Sequence, residues 1–195
     1  MGRGAYALAR VAVVVRAPAG WLWWLGVLAA GVGVWVPGLT GRRIGVLAGA
    51  ALFLIAAAAT FLARRGRYRE LARAASRAGR AVYLQDRAVT LRARRRALRW
   101  WLLLAFLAAV GSSFAVPATA GMLLAGIGAG LWAKARWLGH WERTHDALLW
   151  VRVEWVTRGK PAGKNVTAYQ TTGIVAGDAR PGGAKRTRTA EPAAR

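Results

Sequence analysis

The chain contains no cysteine, and only seven of its 195 residues are acidic. Without thiols it forms neither disulfides nor thiolate centres. The acidic residues and both histidines lie outside the long apolar stretches of the sequence. Proton-coupled transporters use such groups near the middle of the membrane, so transport of this kind is not expected.

Motifs for catalysis are also missing. There is no Gly-rich phosphate loop ending in Lys-Ser/Thr, so the chain is not expected to be an ATPase. His140 and His145 are five residues apart, not the four that place two imidazoles on one helical face. Together with Glu142 and Asp146 they are interpreted as polar residues just outside a membrane helix. We expect no enzyme activity, no metal or cofactor, and no small-molecule substrate.

What the sequence has instead is 30 lysines and arginines, a net charge of +23 and 56% hydrophobic residues. These two properties are segregated along the chain. Residues 64–99 contain 13 arginines, whereas residues 44–63 and 100–133 carry no charge. Uncharged runs of this length match the ~20 apolar residues of a membrane-spanning helix. The sequence therefore predicts a polytopic membrane protein, and its abundant Ala, Arg and Gly indicate a GC-rich bacterial genome such as that of an actinobacterium.

The predicted fold class is all-α, with four transmembrane helices arranged as two hairpins. The first hairpin covers residues 19–63 and turns at Pro37 and Gly38. The second covers residues 100–137 and turns near Pro117. A single helix over its 34 uncharged residues would be far longer than the ~30 Å hydrocarbon core.

Glycine and tryptophan positions support these helices. Gly45 and Gly49 are four residues apart, a spacing that allows close helix packing in lipid. We expect this packing within the chain rather than in a dimer, although a homo-oligomer stays possible. Indole rings favour the membrane–water interface. Eight tryptophans are predicted interfacial anchors: Trp21, Trp23, Trp24, Trp35, Trp100, Trp101, Trp132 and Trp137.

The basic residues predict the orientation in the membrane. Of the 30 lysines and arginines, 28 lie before the first apolar helix, in residues 64–99, or from residue 134 onward. The predicted turns hold only Arg42 and Arg43. Because basic segments stay in the cytoplasm, the protein is predicted to be a multi-pass protein of the bacterial inner membrane with both termini cytoplasmic.

The two ends of the chain are expected to lie outside the membrane helices. In residues 1–18 the apolar core Val11–Val15 is shorter than the ~7–15 residues of a signal peptide, so this part is predicted to be an uncleaved interfacial segment. Residues 159–195 are rich in Gly, Pro, Thr and basic residues without apolar periodicity. Such composition predicts a disordered basic tail.

Two amphipathic helices are expected in the cytoplasm. In residues 64–99 apolar side chains recur every three or four positions, and an arginine recurs every seven on the opposite face. The polyanion-binding candidates are Arg73, Arg80, Arg87, Arg94, Arg95 and Arg96. Residues 138–158 form the second helix, although 151–156 also alternate like a strand. The two helices either pack together or lie flat on the membrane.

Arginine- and tryptophan-rich segments such as RARRRALRWWLLL at residues 92–104 lie beside the apolar hairpins, and this layout is similar to that of known membrane proteins. In this layout the chain resembles the membrane transfer and spread proteins of actinobacterial conjugative elements, and the membrane-anchoring part of FtsK-like transfer ATPases. The resemblance covers about residues 20–140 and implies an accessory role in DNA transfer. The ATPase domain of the second group is absent, so no motor role is implied.

The expected function is that of an integral membrane interaction or scaffold protein with a basic cytoplasmic face. Its expected partners are anionic lipid headgroups and either DNA or a membrane DNA translocase. The arginines could also serve only as a strong topological anchor. The alternative function is a small pore-forming or holin-like protein. A pore requires a polar stripe along its helices, and the apolar runs show almost none.

Overall fold

The computed structural model describes residues 6–36, 38–79, 82–157 and 159–186. It contains seven helices and five strands in these ranges. In chain order they are β1 (Ala7–Arg10), α1 (Val11–Arg16), α2 (Ala19–Trp35), α3 (Arg42–Leu62), α4 (Arg65–Arg73), β2 (Ser76–Arg77), β3 (Tyr83–Leu84), α5 (Arg87–Ser112), α6 (Thr119–Thr144), β4 (Ala147–Arg152), α7 (Val153–Thr157) and β5 (Gln170–Gly173).

The four long helices α2, α3, α5 and α6 form a bundle with α6 at its centre. Helix α6 packs along both α2 and α3, and these are the two most extensive interfaces between elements. Helix α5 packs less extensively, against α2 and α6. The principal partner of α2 and of α3 is therefore α6, whereas the predicted two-hairpin arrangement pairs α2 with α3 and α5 with α6.

Glycines allow α6 to lie close to its neighbours. A Cβ atom at Gly121 or Gly128 of α6 would overlap the backbone of α2, and one at Gly126 would overlap the backbone of α3 at Phe53. Gly45 and Gly49 of α3 are buried, the first against Pro117 and the second against Thr119 and Met122. These two glycines therefore serve packing within the chain. Backbones this close gain dispersion contacts along the whole interface.

The five strands form one sheet in the order β2-β5-β4-β1-β3. The central strands are antiparallel, with Arg10 of β1 opposite Trp150 of β4, and Trp150 opposite Gln170 of β5. The outer strands β2 and β3 pair in parallel with β5 and β1, respectively. Segments that are distant in the sequence, from the N-terminus, the arginine-rich block and the C-terminal region, therefore build one domain.

Burial on both faces explains why this sheet forms. Leu8, Leu148 and Trp150 lie on one face, and Ala9, Leu149 and Val151 lie on the other, as the period of two in a strand requires. The second face is covered by residues of α1, α4 and the end of α6. The run ALLWVR of β4 is continuously apolar up to its last residue because both faces are buried.

The predicted fold class is wrong. The protein is mixed α/β, because it contains the five-stranded sheet. Two segments of the described chain, Val11–Trp35 and Arg42–Arg73, have the length and apolar composition to cross a membrane, instead of the expected four. Helix α5 carries six arginines among its first 13 residues, and α6 is rich in glycine and contains Lys134 and Arg136. These residues reduce the apolar character of both helices.

The structure also differs from the segment boundaries expected outside the bundle. Residues Val11–Val15 are buried in the core of the sheet domain rather than placed at an interface. Residues 64–99 form α4, two short strands and the first half of α5 rather than one helix. The expected helix over 138–158 comprises the end of α6, strand β4 and α7.

The segment after residue 158 is ordered as far as it is described, through residue 186. It contributes strand β5 and buries Ala162, Val166, Tyr169 and Ala179. The phenol of Tyr169 donates a 2.7 Å hydrogen bond to the Pro161 carbonyl oxygen. A few well-spaced apolar side chains, docked on a core supplied by other segments, are enough to order a chain that has no periodicity of its own.

Candidate functional site

The outer surface of the bundle is strongly apolar. In the Arg42–Arg73 segment, only 6% of the most apolar 18-residue stretch is buried inside the protein. In the Val11–Trp35 segment, 44% of the corresponding stretch is buried. A core helix of a soluble protein would be mostly buried, and here the more apolar segment is the less buried one. Large apolar side chains exposed on α2, α3 and α5 include Leu28, Val32, Leu47, Leu54, Ile55, Leu103, Leu104 and Leu107. An apolar surface this large indicates contact with lipid or with another protein.

Most of the charged residues in the described part of the chain lie at one end of this surface. The loops at the opposite end meet each other, since the Leu39 and Thr40 amides donate to the carbonyl oxygens of Phe114 and Ala115. The only basic residues near that end are Arg42 and Arg43, within the described residues. The sheet domain and the arginine-rich start of α5 lie at the other end. The protein is therefore polar at one end and apolar along its sides.

The predicted polyanion-binding arginines that the structure describes do not share one helix face. Helix α4 ends at Arg73, two strands follow, and α5 begins at Arg87, so the repeat of seven is interrupted. Arg87 Nε donates to the Gly183 carbonyl oxygen at 3.1 Å, and an Arg94 amino group donates to the Gly159 carbonyl oxygen at 3.0 Å. These two arginines hold the C-terminal segment in place. Arg73, Arg95 and Arg96 are exposed, and Arg80 lies outside the described residues.

Most of the predicted tryptophan anchors are exposed on the bundle. Trp35 lies at the far end of α2, close to the connecting loops. The exposed rings at the domain end or near it are those of Trp21, Trp23, Trp24, Trp100, Trp101 and Trp132. Trp137 is different, because it packs partly buried against the core of the sheet domain, with Arg65 4.8 Å from its ring centroid.

A buried ion pair lies at the centre of the sheet domain. Arg10 of β1 and Glu142 of α6 are 3.1 Å apart, with 2% and 0% of their side chains exposed. The Glu142 carboxylate also accepts from the amides of Leu149 and Gly182, and Arg10 donates to the Ala179 carbonyl oxygen at 2.8 Å. Burial lowers the pKa of Arg10, and the neighbouring Glu142 opposes this shift. The carboxylate and the terminal guanidinium nitrogens bind one another and nearby backbone groups, whereas the buried Arg10 Nε has no hydrogen-bond partner among the described residues. The arrangement is structural.

Neither the ion pair nor its neighbours form a metal centre. Glu142 is paired with Arg10, and the His145 ring stacks on Trp141 with 4.1 Å between centroids. Among the described residues no group of three or more His, Asp or Glu side chains could hold a metal ion. His140, Glu142, His145 and Asp146 therefore do not converge on a common point in this part of the chain.

A cavity lies where the bundle meets the sheet domain. Its volume is about 860 Å³, within the range of known small-molecule sites. Its wall comes from the end of α1, the start of α2, the first turns of α5 and the middle of α6, with Phe53 of α3 and Gly183. The wall is mainly apolar, and three arginines reach it: Arg16, Arg87 and Arg95.

Sequence reasoning misses this cavity and the ion pair. It places Arg16 in an interfacial segment, and it places Arg10 and Glu142 on different surface helices. The signal that could have found the pair is the isolation of Glu142. It is one of seven acidic residues, and it lies beside the apolar positions Leu138 and Trp141 on a helix. An acid in such a setting requires a basic partner when it is buried.

Comparisons with protein-family models, with curated proteins and with solved structures give no match to this chain. The functional argument therefore depends on the chemistry of the molecule itself.

Proposed function

We propose that the protein is a membrane-anchored interaction protein of the bacterial cytoplasmic membrane that binds nucleic acid through its basic α/β domain. Helices α2 and α3, the parts of the two apolar segments that lie outside the sheet domain, hold it in the lipid, and α6 is shielded from lipid by the helices around it. The sheet domain, which contains both ends of the described chain, lies at the cytoplasmic surface. A role accessory to DNA transfer, beside a membrane translocase, fits this arrangement.

One observation carries the proposal: the most apolar segment is the least buried, while the cations are gathered at one end. Lipid is the environment that stabilises such a surface without a partner protein. The seven carboxylates of the chain cannot neutralise its 30 basic residues. A surface with this excess positive charge binds polyanions through counterion release.

The centre of the bundle argues against the pore-forming alternative. Helix α6 occupies the position that a channel would take, and its glycines lie against the backbones of α2 and α3. In the described part of the chain, the interior between these three helices is therefore filled by packed protein.

Binding of DNA is tested with the full-length protein in nanodiscs of neutral phosphatidylcholine. Labelled duplex DNA is titrated by fluorescence anisotropy at several salt concentrations. The logarithm of the affinity should fall linearly with the logarithm of the salt concentration, with a slope of roughly −0.9 per phosphate contacted. No binding at low salt would overturn the proposal and leave the arginines as a topological anchor.

A pair of double variants locates the DNA-binding face. Arg92 and Arg96 are exposed on α5 at the domain end, whereas Arg42 and Arg43 are exposed at the far end. Arg92→Gln with Arg96→Gln should reduce the steepness of the salt dependence by about 0.9 for each phosphate that is no longer bound. Arg42→Gln with Arg43→Gln removes the same charge and should leave the slope unchanged. Equal effects of the two pairs would show that net charge, rather than this face, determines binding.

A further inference from the structure

The cavity between the bundle and the sheet domain combines an apolar wall with an arginine rim. Four tryptophans, Trp21, Trp23, Trp24 and Trp132, line it together with Phe53. Several of these rings lie near the first turn of α2, at the level where the apolar bundle ends. Indole rings prefer this depth in a bilayer. The cavity therefore lies at the level at which a lipid headgroup meets its acyl chains.

The arginine side chains of the rim form no ion pair with a carboxylate among the described residues. No acidic side chain belongs to the cavity wall in the described residues. Arg16 is repelled by Arg87 and by the nearby Arg136. Both carboxylate oxygens of Asp178 accept from the Arg87 backbone amide at 3.0 Å, so this acid is already engaged at the start of α5. Positive charges held this close together are stabilised by a bound anion.

The geometry points to an anionic glycerophospholipid as the ligand of this cavity. Its phosphodiester would lie between Arg16 and Arg95, and an acyl chain would extend along the tryptophans and Phe53. Arg95 is 5.7 Å from the Trp21 ring centroid, so the guanidinium and the apolar wall are adjacent. The cavity holds only part of a phospholipid, and it is only partly enclosed, so the remainder of the lipid can extend outside it.

This inference rests on the proposed membrane location, and it differs from the nucleic-acid proposal in its residues. A site of this kind would fix the basic domain against anionic lipid at one point, whereas exposed arginines such as Arg92 and Arg96 would stay available to a second polyanion. Lipid occupancy would therefore orient the DNA-binding face.

Native mass spectrometry of the full-length protein in a neutral detergent tests the site. The protein is titrated with palmitoyl-oleoyl phosphatidylglycerol and, separately, with the phosphatidylcholine of the same chains. Both lipids carry the same phosphodiester, but phosphatidylcholine also brings a choline cation towards the arginines. The first phosphatidylglycerol should therefore bind at least about tenfold more tightly than the first phosphatidylcholine. Equal affinities would overturn the inference.

Single substitutions distinguish binding in this cavity from nonspecific attraction of the lipid to the protein's positive charge. Arg95→Gln and Arg16→Gln should each weaken the first phosphatidylglycerol by about tenfold. Arg96→Gln removes the same charge from the neighbouring position, which does not line the cavity, and should change the affinity by less than about twofold. Arg87 is left intact because it also holds Gly183. An Arg96→Gln effect as large as that of Arg95→Gln would overturn the site.

A second pair of variants tests the apolar wall without changing charge. Gly20 and Gly31 both lie on α2, and an added Cβ meets open space at each. Only Gly20 lines the cavity. Gly20→Leu should exclude the lipid and weaken binding, and Gly31→Leu should not. Water-soluble glycerophosphoglycerol should fail to compete with the phospholipid. Effective competition would show that the cavity binds only the headgroup, and it would overturn the proposal that the cavity also binds an acyl chain.

The outcomes distinguish the two proposals. The DNA titration uses neutral lipid and substitutions outside the cavity, whereas the lipid titration contains no DNA. Loss of lipid selectivity with intact DNA binding would overturn only the lipid site, and the converse result would overturn only the nucleic-acid interface.

Discussion

The Arg10–Glu142 pair connects four parts of the chain that are far apart in sequence. It joins β1 to the last turn of α6, to the start of β4 and to residues 179–182. Two fully buried charges carry a large desolvation cost, which is offset only when both are hydrogen-bonded. Here the carboxylate has backbone donors as well as the guanidinium. The pair therefore fixes the register of the domain.

Removing one partner of this pair should be strongly destabilising. Glu142→Gln leaves the Arg10 guanidinium buried without an opposing charge, and we expect a loss of about 3–5 kcal/mol in the free energy of unfolding. Thermal unfolding in detergent, followed by circular dichroism, measures it. The control is Glu70→Gln, because Glu70 pairs with Arg67 at the surface, where such pairs contribute little. A similar loss in both variants would show that the buried pair has no special role.

At the scale of elements, the position of α6 depends on small residues at its contacts. Gly26 of α2 faces Ala125 and Gly121 so closely that a methyl group would overlap their backbones, whereas Gly31 on the same helix faces open space. Gly26→Ala should separate α2 from α6 and lower the melting temperature. Gly31→Ala should raise it slightly, because alanine is the better helix former by about 1 kcal/mol.

The same unfolding measurement decides this prediction. Both variants replace glycine by alanine in the same helix, so the gain in helix propensity is the same in both and cancels in the comparison. If Gly26→Ala is as stable as Gly31→Ala, the close approach of α2 and α6 is absent in solution.

The C-terminal segment makes contacts that its composition does not predict. Tyr169 and Val166 have no exposed surface, and Asp178 binds the first amide of α5. Deleting all residues after 159 should therefore destabilise the sheet domain, since it removes a strand and these buried side chains. A protein that ends at residue 186 keeps all of these contacts and serves as the control. Protease resistance of the domain in detergent measures both. Equal resistance of the two truncated proteins would show that residues 160–186 are dispensable.

The long helices of the bundle could be predicted from the sequence, because uncharged runs of 20 and 34 residues leave few alternatives. The sheet could not. Its strands are two to six residues long and come from distant segments, and β2 and β3 have only two residues each. The strand-like alternation at 151–156 coincides with β4 only at Val151 and Arg152, because Val153–Thr157 form α7. The partners of β4, which are β1 and β5, lie in segments whose composition predicts an interfacial helix and a disordered tail.

The cavity could not be predicted for a related reason. It brings Arg16, Trp21, Arg95 and Trp132 together from four helices, and only the packing of α1 and α5 against the bundle places them side by side. Each residue alone fits a surface or interfacial position. Arg73, Arg95 and Arg96 are exposed, whereas Arg87 and Arg94 make contacts that depend on the fold. Polyanion binding by these arginines stays a prediction.

At the scale of the whole molecule, the described chain begins and ends in the same domain. Strand β1 and the Ala179–Lys185 bridge both belong to the part built around the sheet, and the loop between α2 and α3 lies at the opposite end of the bundle. If the two apolar segments cross the membrane, that loop and the sheet domain must face opposite sides. In that case the distribution of charge predicts that the domain faces the cytoplasm.

The absence of cysteine allows a direct test of this orientation, because one introduced thiol is the only reactive site. Thr40→Cys places it in the far loop and Lys185→Cys in the domain, and both positions are accessible at the surface. In right-side-out vesicles a membrane-impermeant maleimide should label Thr40→Cys and not Lys185→Cys. In inverted vesicles the pattern should reverse, and in detergent both should react. Labelling of both positions from the same side would contradict membrane crossing and leave the apolar surface to be covered by protein.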